Sequence, residues 1–323
     1  MAAASLPEAD IHHGDPPIGC PTVTLDIMMP FYGSFLHLRQ AVESVLTQSD
    51  PDWRLTVIDD VYPDLAPGEW VEAVADERVT YIRNETNLRP SRNYNKSIGI
   101  ASSEFVQIMG CDDIMLPGYV ARIHELIALY PNADIIQPGV SVIDENGIES
   151  LPLADRVKGW YRLRGTAARQ YSGERLAVSL LRGNWTYFPS LVWRRSLLTE
   201  TGFRTDLDVV QDLAMLFQII KNGGNLVLDD QIAFSYRRHS ASVSAVTGPD
   251  GSKFRQERSL FYEAAATSRE LGWNRAARVA TRHLLSRLNA LTELPGAIRT
   301  RNIVGRRTLL QHILRRPYTH LGA

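Results

Sequence analysis

Short apolar runs and helical repeats alternate along the first half of the chain. Val23–Met29, Arg54–Ile58, Val79–Ile82, Phe105–Met109 and Asp134–Gln137 are too brief for helices, so they predict buried strands. Between them, Phe35–Gln48 carries Leu38, Ala41, Val42 and Val45 at helical spacing. Trp70–Ala75, Ser91–Ala101 with Ser91 in a capping position, and Gly118–Leu129 predict further helices. Such alternation builds βαβ units and a mostly parallel sheet, in which ligands bind beyond the carboxyl ends of the strands.

The second half is less regular. Leu151–Tyr171 is polar and reads as a loop, a candidate for gripping an acceptor. Gly173–Leu181 and Asp212–Lys221 predict helices, Leu191–Trp193 and Ile232–Tyr236 short strands. After Pro249 the pattern turns helical over Lys253–Glu270, Asn274–Ala290 and Ile303–Arg316. These shifts suggest an N-terminal arm at 1–21, an α/β unit at 22–248 whose halves meet at 117/118, and a helical extension at 249–323.

Composition narrows the function. A chain of 323 residues with 44% hydrophobic content can bury a sizeable core. Its 35 basic and 36 acidic residues nearly cancel, which argues against a general nucleic-acid binder. Cys20 and Cys111 are too few for a disulfide framework or a Cys/His zinc site, and fit a reducing cytoplasm. No apolar run reaches the roughly 18 residues of a membrane span. The first residues lack a basic start and an apolar centre, so they read as a flexible arm rather than a signal peptide.

Candidate chemistry collects at strand ends. Asp59 and Asp60 close the second predicted strand, Asp112 and Asp113 follow the fourth, and all four stand on one rim. Carboxylates gathered there repel one another unless a cation or a set of donors sits among them. For either pair alone, a turn is the plainer explanation. No G-x-G-x-x-G follows the first strand and no G-x-x-x-x-G-K-[ST] occurs, which sets aside dinucleotide dehydrogenases and P-loop enzymes.

Six segments follow one another in a familiar order: Met28-Met-Pro-Phe-Tyr32, Val57-Ile-Asp-Asp60, Asn87-Leu-Arg-Pro-Ser-Arg-Asn-Tyr-Asn95, Gly110-Cys-Asp-Asp113 with Pro117, Gln211-Asp212, and Tyr236-Arg-Arg-His-Ser-Ala-Ser-Val-Ser244. In them the chain resembles a family 2 glycosyltransferase, over about Thr22–Ser244. Some positions depart from the family pattern. Gly33 replaces an Asn, Val61-Tyr62 a Gly-Ser, Arg89 a Gly and Gln211 a Glu, but none of these removes a carboxylate the chemistry needs.

The resemblance implies an α/β GT-A fold, the nucleotide-diphospho-sugar transferase fold, with a mostly parallel central sheet flanked by helices and here a C-terminal helical extension. It implies a nucleotide-sugar donor, a UDP-sugar by expectation, and Mn²⁺ or Mg²⁺. Asp113 is the expected metal ligand, with His239 a further one. Asp112 would hold the ribose or a metal-bound water, and Asp59 a ring N–H of the base. Pro30 and Tyr32 form the first turn of the donor site. Arg89 or Arg92 would reach phosphate or base, unless merely solvated. Asn93 and Asn95 would order the base-binding loops. Arg237 and Arg238 would offer charge to the diphosphate, and the Ser-rich run after them a closing loop. Asp212 would be the general base, capping of its helix being the alternative. Trp185 and Tyr187 would either line the acceptor site or pack in the core.

The expected reaction is therefore inverting transfer of a sugar to a hydroxyl of a glycan or lipid-linked acceptor, in polysaccharide or cell-wall synthesis. An inactive sugar-nucleotide-binding relative acting as a partner protein is the alternative, disfavoured by the presence of both Asp113 and Asp212. After Glu293 there is no acid, and Arg299, Arg301, Arg306, Arg307, Arg315 and Arg316 follow. Leu309, Leu310, Ile313 and Leu314 share a helical face, which would lie on the inner face of a membrane or dock on protein.

Overall fold

Four parallel strands form the first half of the sheet: β1 (Leu25–Phe31), β2 (Trp53–Asp59), β3 (Val79–Arg83) and β4 (Phe105–Ile108), in the order β3-β2-β1-β4. The structure, a computed structural model, describes residues 24–163, 167–238 and 250–314. The arm expected at 1–21, His239, Ser240–Ser244, Arg315 and Arg316 lie outside the described residues.

Helices α1 (Phe35–Leu46), α2 (Ala66–Glu72), α3 (Arg89–Ile100) and α4 (Tyr119–Leu129) connect or follow these strands. Ser34 caps α1, its hydroxyl accepting from His37 N at 3.4 Å. α2 starts earlier than the apolar pattern suggested, because Pro67 fits the first helical turn, where no N–H is needed. α3 likewise begins at Arg89, with Pro90 in its first turn. Ser91 is therefore inside the helix, and its hydroxyl donates to Leu207 O at 2.7 Å instead of capping.

The sheet continues through β8 (Val192–Arg194), β6 (Ile135–Ile143), β9 (Asn225–Arg237) and β5 (Ile114–Met115), while β7 (Arg169–Ser172) pairs with β9. Here parallel and antiparallel pairing mix: β4–β8, β8–β6, β5–β9 and β7–β9 are antiparallel, β6–β9 parallel. β6 and β9 far outrun the predicted strands. Their register shifts around Gly139, where a Cβ would meet the backbone of Gln231 at 2.7 Å. The bulge lets one long pair bend past Pro138 and the exposed Asp230 and Gln231, where the predicted strands stopped.

Both faces of the sheet are covered. On β1, Leu25, Ile27, Met29 and Phe31 face α1, α2 and α4, and Met28 faces the opposite core. That second core takes in α3, α6 (Gly173–Arg182), α7 (Arg195–Thr201) and α8 (Gln211–Lys221). Leu153–Tyr161 forms helix α5, where the polar pattern had suggested a loop.

Four helices follow: α9 (Ser252–Glu270), α10 (Asn274–Arg282), α11 (Leu284–Arg299) and α12 (Ile303–Ile313). The single helix expected over Asn274–Ala290 is broken at His283, whose φ is +30° and whose ring stacks on Phe261 at 5.6 Å. Phe254, Ala290, Ala297 and Leu309 bind α9, α11 and α12 into a small core of their own. The apolar face expected on the last helix is thus divided, with Leu309 fully buried and Leu310 and Leu314 exposed. No helix among the described residues is long and apolar enough to cross a membrane.

Candidate active site

β2 and β4 run parallel on either side of β1, so their carboxyl ends share one edge, roughly 10 Å apart. The four acids of the rim therefore stand together, but they do different work.

Asp60 is an anchor. Its carboxylate accepts from Asn84 Nδ2 at 2.8 Å, Leu88 N at 2.7 Å and Arg89 N at 2.9 Å. This fixes the turn that opens α3 and holds Arg89 at φ +66°. Val61, next to Asp60, has φ +64°. These are two of the positions where the family pattern has glycine. The left-handed backbone has been kept without the residue that suits it, at about 1–2 kcal/mol of strain each. Arg89 and Arg92 are exposed on this turn, free of the core.

Asp59 is fully buried and accepts from Tyr62 N at 2.6 Å, the Tyr81 hydroxyl at 2.6 Å and the Arg83 guanidinium. Burial and the Asp59 carboxylate push the Tyr81 hydroxyl up to about 12. A nucleobase N–H would have to join these donors. Tyr32 is 57% exposed just beyond the partly buried Pro30, edge-on to Tyr62 at 5.8 Å, and offers a flat wall beside Asp59.

Asn95 is tied to the backbone of Phe203. Its amide nitrogen donates to Phe203 O at 2.9 Å and its oxygen accepts from Phe203 N at 2.7 Å. It clamps the Gly202-Phe203 turn that leads towards Asp212. Asn93 lies buried behind it, its oxygen 3.3 Å from Asn84 Nδ2.

Asp113 is buried at the tip of β4. Its Oδ1 accepts from Arg237 N at 2.8 Å, and its Oδ2 has no hydrogen-bond partner among the described residues. Burial, then the neighbouring Asp112, drive its pKa well above the usual carboxylate range, opposed by Arg237. Gly110 makes the arrangement possible, because a Cβ there would run into Asp113 Oδ2 and come 3.0 Å from Asp112 Oδ1. A buried carboxylate oxygen with no donor, beside a second carboxylate, is what a hard divalent cation neutralises. No group of three or more His, Cys, Asp or Glu among the described residues could hold a metal. The carboxylate oxygens of Asp112 and Asp113 suit a hard cation such as Mg²⁺ or Mn²⁺, which would need further oxygen ligands to complete its shell. His239, the second expected ligand, lies outside the described residues. Cys111 is half-buried, its thiol pushed up by burial and then by Asp112, and its soft sulfur suits Mg²⁺ or Mn²⁺ poorly.

Arg237 and Arg238, expected to offer charge to the diphosphate, are each held by neighbouring groups. Arg237 is buried. Its side chain donates to Asp112 O at 2.6 Å, Glu145 O at 3.1 Å and Gln40 Oε1 at 2.9 Å. Arg238 forms a two-pronged pair with Asp155 on α5, at 2.7 and 3.0 Å. The Tyr187 hydroxyl donates to the same carboxylate at 3.0 Å, and the Tyr187 and Tyr236 rings pack at 5.2 Å. α5 therefore supplies a wall of the site.

Asp212 lies in the first turn of α8. Oδ1 accepts from Leu213 N at 2.7 Å, and Oδ2 from Asn184 Nδ2 at 2.6 Å. Asn184 is held in turn by Thr186, whose N and Oγ1 donate to its oxygen at 3.2 and 2.6 Å. Burial raises the Asp212 pKa; Leu213 N, Asn184 and then Lys158 oppose it. Lys158, on α5, lies over the Tyr187 ring at 4.4 Å, and burial draws its ammonium down to about 8. Trp185, expected on the acceptor side, is fully buried with its N–H on Ser179 Oγ at 3.0 Å, so its bulk belongs to the core. Tyr187 is the aromatic of this segment that stays at the site.

The rim and Asp212 meet around two tyrosines. Burial raises the Tyr94 hydroxyl, and Asp212, Cys111 and Asp112 add to it. Burial likewise raises Tyr236, with Asp113, Asp112 and Asp155 adding to it against Arg238. Asp113 and Asp212 thus both border the neighbourhood of these two tyrosines.

Asp155, Lys158 and Asn184 were missed as site residues. Asp155 and Lys158 fall in a polar stretch whose helix is stabilised by tertiary contacts, and Asn184 acts only through a partner 28 positions away.

Residues 26–194 match the family model described as Glycosyl transferase family 2. An uncharacterized glycosyltransferase MJ1057 from Methanocaldococcus jannaschii is 22% identical over 62% of this chain and 66% of its own. The succinoglycan biosynthesis protein ExoO of Rhizobium meliloti is 25% identical over 67% of this chain and 61% of its own. The chain thus spans somewhat less than two-thirds of the length of these curated relatives. Staphylococcus aureus TarS 1–349 superposes with a TM-score of 0.59 at 15% identity, over 92% of this chain and 93% of that one. Its complex with UDP-GlcNAc gives 0.60 at 14% over the same shares. At these identities the likeness shows a shared fold, the nucleotide-sugar transferase fold.

Proposed function

The chain belongs to glycosyl transferase family 2, and from that premise we propose that it moves a sugar from a nucleoside-diphosphate donor to an acceptor hydroxyl with inversion at the anomeric carbon. The observation that carries the reading is the pairing, around Tyr94 and Tyr236, of a partnerless buried oxygen on Asp113 with the oriented carboxylate of Asp212.

In this reading the donor's diphosphate lies beside Asp112 and Asp113. A Mg²⁺ or Mn²⁺ held there would stabilise the negative charge left on the diphosphate as the sugar departs. Tyr32 and Asp59 flank the base. We favour a uracil nucleotide, consistent with UDP-GlcNAc in the complex of TarS. The Asp212 carboxylate accepts the proton of the acceptor hydroxyl while that oxygen attacks the anomeric carbon from the face opposite the leaving diphosphate. A raised pKa makes Asp212 a better proton acceptor than an exposed aspartate, and the bonds from Leu213 N and Asn184 keep it ionised and aimed. We place the reaction in the cytoplasm, with a glycan or lipid-linked acceptor bound against Tyr187 and α5, in polysaccharide synthesis.

The test is to measure donor binding, donor hydrolysis and transfer with and without Mn²⁺, after a panel of nucleotide sugars has been screened by thermal shift to choose the donor. Asp113→Ala should abolish the metal-dependent part of donor binding. Asp212→Asn should bind donor normally and lose transfer by about 100-fold or more. Normal transfer by Asp212→Asn would remove the assigned base, and donor binding by the unaltered protein that Mn²⁺ does not strengthen would remove the role of Asp113.

A further inference from the structure

The charge of the chain is split. From Pro249 to the end there are fourteen Lys and Arg against five Asp and Glu, while the preceding 248 residues carry 21 against 31. The basic part also holds an uncovered apolar face. On α11, Leu284, Leu288, Leu291 and Ile298 fall on one side of the helix and are 58, 48, 50 and 53% exposed. The buried Ala290 and Ala297 point elsewhere, into the core shared with Phe254 and Leu309. α12 adds Ile303 and Leu310, 69 and 44% exposed, on the side turned from Leu309. Exposed Arg282, Arg299 and Arg301 flank this face at the helix ends.

We propose that the outer face of α11 and α12 docks on an anionic lipid surface. Apolar residues on one side of a helix, with arginines around them and no opposing acid beyond Glu293, match the acyl boundary and headgroups of such a bilayer. A second copy of the chain is a poorer match, because two such faces would bring like charges together. The two helices are linked to Asp212 through α9. Ser286 on α11 donates to Glu257 on α9, and Glu257 and Asp212 act on each other electrostatically. Docked there, the protein would meet a lipid-linked acceptor at the membrane rather than from bulk water. That last consequence rests on the proposed transfer; the lipid binding itself does not.

The experiment is flotation of the full chain with vesicles of phosphatidylcholine alone or with phosphatidylglycerol added, alongside light scattering for mass. The unaltered chain should float with the anionic vesicles and stay below with the neutral ones. Leu288→Glu/Leu291→Glu and Arg299→Glu/Arg301→Glu should each weaken flotation about tenfold or more, while circular dichroism and Mn²⁺-dependent nucleotide binding are kept. Flotation unchanged in both variants overturns the proposal, as does a lack of binding by the unaltered chain. A dimer in solution that Leu288→Glu/Leu291→Glu converts to monomer overturns it too, in favour of a second copy. Lipid binding without transfer would leave the surface standing and sink the proposed function alone.

Discussion

The Asn184 side-chain amide donates to Asp212 at 2.6 Å while its own oxygen is held by Thr186 at 2.6 Å. This fixes which way the amide faces, and through it where the Asp212 carboxylate points. Asn184→Ala removes a bond to a charged acceptor, which is commonly worth about 1.5–3 kcal/mol. The proposed transfer should lose about ten- to a hundredfold in kcat, with the KM for donor unchanged. The bond favours the ionised form, so its loss leaves Asp212 holding its proton to higher pH. The acidic limb of the kcat profile should move upward. A fall in kcat with a fixed pH profile would mean that Asn184 merely supports the fold.

Gly110 gives a second test. Ala at this position places a methyl group among the carboxylates of Asp112 and Asp113, where overpacking costs on the order of 1–3 kcal/mol. Titration calorimetry of UDP with Mn²⁺ should show about tenfold or more weaker binding for Gly110→Ala. UDP binding without metal, assigned in the proposed function to the Asp59 end of the rim, should change little.

Val61 and Arg89 make a prediction of opposite sign. Both sit at φ above +60°, where a Cβ crowds the backbone. Val61→Gly and Arg89→Gly should each raise the unfolding free energy by about 0.5–1 kcal/mol, after the extra freedom glycine gives the unfolded chain is subtracted. Val61→Ala keeps the Cβ and should give no gain. Denaturant melts of the three variants decide it. Equal effects of Gly and Ala at 61 would show that the strain is not in the backbone.

His312 sets the acid response of the C-terminal helices. It is fully buried, accepts or donates at Ser286 Oγ at 2.8 Å, and burial pushes its pKa down to about 3. A depressed folded pKa means that stability is intact above the unfolded value, about 6.5, and is lost as pH falls towards about 3. The slope for one proton is about 1.4 kcal/mol per pH unit. Thermal melts between pH 7 and 4 should therefore fall more steeply for the unaltered chain than for His312→Gln. Parallel curves would place the acid sensitivity elsewhere.

What the sequence revealed follows from how local the cause was. Asp59, Asp112 and Asp113 were legible because an apolar run ending in acids is a local pattern, and the parallel sheet brings such ends to one edge. Asp212 was legible for the same reason, at the start of an apolar helix. β9 was not. Its Asp229-Asp230-Gln231 looks like a turn, and only the bulge against β6 carries the strand through it. Asp155 looked like one polar residue among many. Its role comes from Arg238 and Tyr187, which lie 83 and 32 positions away. Trp185 and Tyr187 are nearly adjacent and equally aromatic, and only the packing around Ser179 and Asp155 separates the core residue from the site residue.

Arg237 ends β9 as a bolt through the rim: its N–H holds Asp113, and its guanidinium spans Asp112, Glu145 and Gln40. The last residue of the strand and the acid that would seat the cation are therefore mechanically one part. A shift at the end of β9 is felt at Asp113 through its 2.8 Å bond to Arg237 N and at Asp112 through the guanidinium. Damage to Arg237 would look, in an activity assay, like loss of metal rather than loss of a phosphate contact.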